Sequence, residues 1–137
     1  MNRFYITAPL LVLIFFLFSC GNGQNEIPKT DTDVATAFIR DILDNRIDEA
    51  EKYLLKDDTN DDFFKRFSEQ YRRKEKAELE KYKSAEIIIN EISNVTDSVT
   101  IVNYSNTYKK DQKNKLKLVR INGHWLIDLK YTFSGNM

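Results

Sequence analysis

Three hydrophobic patterns follow one another along this 137-residue chain: an unbroken apolar run, a helical stripe and a strand-like alternation. Phe4 to Phe18 is apolar apart from Thr7 and Pro9. Val34, Ala35, Phe38, Ile39, Ile42 and Leu43 then recur at intervals of three and four, which predicts an amphipathic helix to about Asn45. Thr30-Asp31-Thr32-Asp33 supplies its N-cap. Asp48 is expected to cap a short second helix with Ala50, Tyr53 and Leu54 on one side. A third helix is expected from about Asp61 to Lys83, after a polar break at Lys56–Asp62. Phe64, Phe67 and Tyr71 form its buried stripe, with Phe63 beside it. Its charged second half is expected to be solvated, with Leu79 and Tyr82 touching the body.

From Ser84 onward β-branched and aromatic residues favour strands. These are expected at Ser84–Ser93, Ser98–Tyr108, Lys115–Ile121 and His124–Phe133, separated by Asn94–Asp97, Lys109–Asn114 and Asn122-Gly123. Asn-Gly suits a type I′ turn, in which both central residues have positive φ. A two-residue turn sets the register: Ile121 opposite His124, Arg120 opposite Trp125, Leu118 opposite Ile127 and Leu116 opposite Leu129. Continued by Tyr131 and Phe133, the Leu118 side becomes the core face. The other side pairs Val119 with Leu126 and Lys117 with Asp128, the latter a surface ion pair of under ~1 kcal/mol. Helices followed by four antiparallel strands predict an α+β fold, N-terminal helices packed on a curved four-stranded sheet.

The apolar run has a different destination. Arg3, the run to Phe18, small Ser19 and then Cys20 have the layout of a secretory signal. Fifteen residues interrupted by proline are short of the ~20 that span a bilayer. Leu17-Phe18-Ser19-Cys20 resembles the lipobox of bacterial lipoproteins, with Phe18 where that pattern usually holds Ser, Thr, Ala, Val or Ile. The resemblance implies removal of residues 1–19 and lipidation of Cys20 through its sulfur, usually with acylation of the new amine as well; palmitate is the expected label. It further implies a lipid-anchored protein of the bacterial cell envelope. With Gly21 after the cysteine, the outer membrane is favoured. Polar residues 20–29, with two glycines and Pro28, are expected to be a lipidated tether, and 30–137 one domain. Cys20 is the only cysteine, so no disulfide forms within the chain.

Composition narrows the function classes. The chain carries 21 basic and 21 acidic residues, a balance that argues against a nucleic-acid partner. The single histidine, His124, follows a tight turn and is expected to be exposed; alone, it builds no zinc site. Asp58, Asn60 and Asp62 match the first ligand positions of a calcium loop, and Glu69 the twelfth. Phe63 stands where that loop needs glycine, so the expectation there is a helix N-terminus and no metal. No phosphate loop, nucleophile elbow or metalloprotease helix is present. Lys109, Lys110, Lys113, Lys115 and Lys117 make a basic stretch that suits either solvent or anionic headgroups.

Val34–Ile39, Asn45–Ala50 and the closing Leu116–Asp128 hairpin together resemble the nuclear transport factor 2-like superfamily, a cone-shaped α+β fold. The hairpin is similar to that of small bacterial lipoproteins with a domain of unknown function, a type common in Bacteroidota. These motifs are structural, and the fold hosts many functions. The expectation is a non-catalytic binding or interaction domain of unknown ligand, without cofactor. An isomerase or hydrolase of the same fold and a structural homodimer are the alternatives. Tyr104, Tyr108, Trp125 and Tyr131 are the candidate pocket residues.

Overall fold

The computed structural model describes residues 28–133. The expected signal peptide, Cys20 and most of the expected tether lie outside these residues. Thr30 caps α1 (Asp31–Leu43), its hydroxyl accepting the Asp33 N–H at 3.1 Å. Asp31 and Asp33 complement the helix dipole in the first turn. The helix ends at Asp44, and Asn45 turns the chain with a φ of 59°. Short α2 (Ile47–Ala50) follows and runs into a single 3₁₀ turn, Glu51–Tyr53. Asp48 does not cap α2; its carboxylate meets Arg72 at 2.9 Å.

The expected long helix is two helices. The first, α3 (Asp58–Arg72), starts three residues earlier than its apolar stripe suggests, because Asp57 accepts the N–H groups of Thr59 and Asn60. After Arg73 the chain bends, and α4 (Lys76–Lys83) begins without a side-chain cap. No glycine or proline marks the break. Its cause is tertiary: residues eleven apart on a straight helix sit ~16 Å apart, yet the Tyr71 and Tyr82 rings are 5.7 Å apart. Arg40 of α1 fastens the far end of α4. It donates to the carbonyls of Lys83 and Ala85 at 3.1 and 2.8 Å and pairs with Asp44 at 2.9 Å. A guanidinium is well placed against carbonyls that a helix C-terminus leaves open.

The second half is a meander, β1 (Ile87–Thr96), β2 (Val99–Asn106), β3 (Asn114–Ile121) and β4 (His124–Asp128), antiparallel in that order. The first strand continues through the expected turn; Thr96 pairs with Val99, leaving Asp97-Ser98 as the connection. Register shifts at Asn90 and Val95 make β1 an irregular edge, a form that discourages pairing with another chain. The β3–β4 hairpin has the expected register from Ile121/His124 to Lys117/Asp128, with Asn122 and Gly123 at φ 51° and 82°.

Beyond Asp128 the expectation fails. Leu129–Phe133 is a helical turn, α5, so Leu116 and Leu129 are not strand partners, and Tyr131 and Phe133 do not extend the core face of β4. Asp128 caps α5 by accepting the Lys130 N–H at 3.2 Å. The Leu129 N–H goes to the side chain of Asn60, which is fully buried, at 2.8 Å. These bonds satisfy two N-terminal donors and outweigh the β-propensity of Tyr131, Thr132 and Phe133.

One face of the sheet packs against the helices. Val102, Leu116, Leu118 and Ile127 lie there with Val34, Phe38 and Ile39 of α1 and Phe64 of α3. At the N-terminal end of α1, buried Thr100 donates to Asp31 at 2.6 Å. Leu54 bridges to Ile127, and the Leu55 N–H reaches the Ile127 carbonyl at 2.9 Å, covering part of the β4 edge.

Candidate functional site

The turn into α5 leaves space at one end of the core. A cavity of about 220 Å³ lies between α1, α3, α5 and the sheet. Four phenylalanines line it: Phe38 from α1, Phe64 and Phe67 from α3, and Phe133 from α5. Neighbouring ring centroids are 6.3–6.5 Å apart (Phe38–Phe64, Phe64–Phe67, Phe67–Phe133). The polar lining is Tyr104, Gln112, Asn114 and Thr132. Tyr104 projects from β2 beside its cross-strand partners Ile89 and Asn114. Thr132 donates its hydroxyl to the Lys115 carbonyl at 2.8 Å.

Tyr104 is the one titratable side chain among the described residues that line this cavity. Burial pushes its phenol up to about 12, so at neutral pH it is uncharged and able to donate a hydrogen bond. Such a cavity suits an uncharged molecule with a large apolar part and one or two hydrogen-bonding groups. An ionised ligand would lose its hydration with no opposite charge to meet it.

The other candidate residues are dispersed. Trp125 lines a separate groove of about 320 Å³ beside the hairpin tip, with Tyr53, Ile121 and His124. The Arg120 guanidinium lies 5.5 Å from the Trp125 ring. Tyr108 packs edge-on against Tyr82 at 5.0 Å and 89°, lining neither cavity. Tyr131 is half-buried on α5 and also lines neither. Of the four, Tyr104 alone lies in the phenylalanine-lined cavity.

None of the four phenylalanines was expected as lining, nor were Gln112, Asn114 and Thr132. Phe38, Phe64 and Phe67 read as core positions of helices and Phe133 as part of a strand. Gln112 lies in the polar β2–β3 loop and Asn114 where that loop enters β3; only the length of the connection hinted at a rim.

Lys117 and Asp128 meet at 3.4 Å as the register predicts. Asp128, however, is buried rather than superficial, because α5 starts over it. The carboxylate accepts the α5 N–H of Lys130 and faces the Lys130 ammonium at 3.7 Å, which commits it to structure.

The acidic 57–62 segment is a helix start. Asp57 caps α3 and meets Lys130 at 2.5 Å, and this bond holds the Asp57 carboxyl below the usual range. Asn60 Nδ2 donates to Asp57 at 2.9 Å, and Asp62 pairs with Arg66 at 2.7 Å. Among the described residues no group of three His, Cys, Asp or Glu side chains is arranged to hold a metal ion. His124 is exposed next to the hairpin turn.

No protein-family model, curated protein or solved structure matches this chain. Among the described residues no helix is long and apolar enough to cross a membrane.

Proposed function

We propose that this is a lipid-anchored protein of the bacterial cell envelope whose domain binds a small, uncharged, mostly apolar molecule without transforming it. In this reading residues 1–19 are the signal peptide, Cys20 carries lipid, and 20–29 is the tether. The domain is a nuclear transport factor 2-like cone, a reading supported by helices placed before an antiparallel meander and packed on one face of it. The observation that carries the binding function is the phenylalanine-lined cavity with neutral Tyr104 as its titratable group. An isomerase or hydrolase would need a base beside Tyr104. Asp128, the hairpin's acid, is instead engaged by Lys117 and α5.

Two experiments test the reading. Palmitate labelling in cells should be lost in Cys20→Ala; unchanged labelling refutes the anchor. The purified protein should bind the neutral fluorescent probe N-phenyl-1-naphthylamine. Gln112→Trp, at the exposed rim, should block the probe, and equal binding by both proteins would refute the cavity as the site.

A structural homodimer is the second reading. Val99, Val119 and Leu126 form a half-exposed apolar row across three strands on the sheet face away from the core, with Ile121 exposed nearby. Light scattering after size exclusion decides it, and a monomer at high concentration rules it out.

A further inference from the structure

Basic residues are unevenly spread in this electrically neutral chain. Residues 72–86 hold six basic and four acidic side chains, and 109–115 hold four basic and one acidic. The fold brings these two segments together. The Tyr108 ring meets Tyr82 of α4 edge-on, with the Lys81 ammonium 5.6 Å and the Lys109 ammonium 4.9 Å from its centroid. Lys74 stands 5.3 Å from the Tyr82 ring and pairs with Glu78 at 2.8 Å. Lys81, Lys109, Lys110 and Lys113 are exposed. The end of the molecule formed by α4 and the β2–β3 loop is therefore a lysine-rich surface built on two tyrosines. Glu75, Glu80, Glu86 and Asp111 are the exposed acids of these two segments.

We propose that this surface docks the folded domain onto an anionic phospholipid bilayer, as a second contact independent of any lipid on Cys20. The chemistry is complementary. Lysines lying on an apolar base reach phosphates while their stems stay on the tyrosines. Tyrosine favours the headgroup layer, where a ring sits at the boundary and a hydroxyl meets water. The same loop turns Gln112 and Asn114 toward the phenylalanine-lined cavity. Docking by its lysines would thus bring the mouth of that cavity to the headgroup layer, where apolar molecules partition.

The test is lysine footprinting of the full chain reconstituted in vesicles of phosphatidylcholine, with or without phosphatidylglycerol. Acylation by a water-soluble ester is read residue by residue by mass spectrometry. Labelling of Lys81, Lys109, Lys110 and Lys113 should fall at least about fivefold in the anionic vesicles, the change that one lysine near an anionic surface supplies. Lys52 and Lys56 should be unchanged. High salt should restore labelling, because it screens the attraction. In a K109E/K110E/K113E variant, with circular dichroism confirming the fold, protection of Lys81 should disappear. Equal labelling in both vesicle types, or protection that survives charge reversal, would overturn the proposal. Protection by short duplex DNA as strong as by vesicles would overturn it in favour of a nucleic-acid surface.

Discussion

Asn60 sits where α3, α5 and the cap Asp57 meet, and its removal should loosen the whole cavity end. The side chain is 0% exposed. Its Oδ1 accepts the buried Leu129 N–H at 2.8 Å, and its Nδ2 donates to Asp57 at 2.9 Å. In Asn60→Ala the Leu129 donor has no acceptor and is sealed from water, a cost of ~1–3 kcal/mol. Alanine's better helix propensity returns about 0.5 kcal/mol. A loss of about 1.5 kcal/mol is therefore expected, which lowers Tm by roughly 7 °C for a domain of this size. Urea unfolding, followed by helical circular dichroism and by Trp125 fluorescence, measures it. Asn60→Asp isolates the mechanism. It keeps the acceptor for Leu129 but sets a buried carboxylate against that of Asp57. It should be less stable than Asn60→Ala at neutral pH, and the difference should shrink in acid as the new carboxyl protonates and donates to Asp57. An alanine variant within 0.5 kcal/mol of the parent protein, or a pH-independent aspartate variant, would refute the bridging role.

The Asp57–Lys130 pair stabilises the fold across the middle of the pH scale and loses its contribution at both ends. Its bond depresses the Asp57 carboxyl and raises the Lys130 ammonium. The Asp57 contribution is present above the unfolded value of 3.8 and is lost as pH falls through its lower folded value. The Lys130 contribution is present below 10.5 and is lost as pH rises through its higher folded value. Unfolding of Lys130→Met as a function of pH should lose the Lys130 limb and keep a smaller Asp57 limb, because Asn60 still donates to Asp57. Leu118 and Ile127 are cross-strand partners with no exposed surface, so Leu118→Ala should cost ~2–5 kcal/mol in a urea titration; under 1 kcal/mol would mean that the site collapses freely. Gly123 has φ 82° and open space where a Cβ would stand, so Gly123→Ala should cost about 1 kcal/mol by conformation alone.

Periodicity alone was enough to read the elements whose information is local. The α1 stripe, a cap within Thr30–Asp33 and the Asn122-Gly123 register needed only 3.6-residue spacing, an oxygen before the first turn and a dipeptide suited to positive φ; the structure chose Thr30 among the four. The α+β order followed from the change of period at Ser84. Tertiary structure decided the rest, because those choices rest on partners far away in the chain. Packing of Tyr82 against Tyr71 bent one expected helix into two. Asn60, 69 residues before Leu129, captured a backbone donor and helped turn an expected strand end into α5. That turn carried Phe133 to Phe67 and created a cavity that no single segment predicts, with Tyr104 inside it and Tyr108, Trp125 and Tyr131 elsewhere. Local spacing encodes which face of an element is apolar. Which apolar faces meet, and what space remains between them, depends on contacts that close only when the chain is folded.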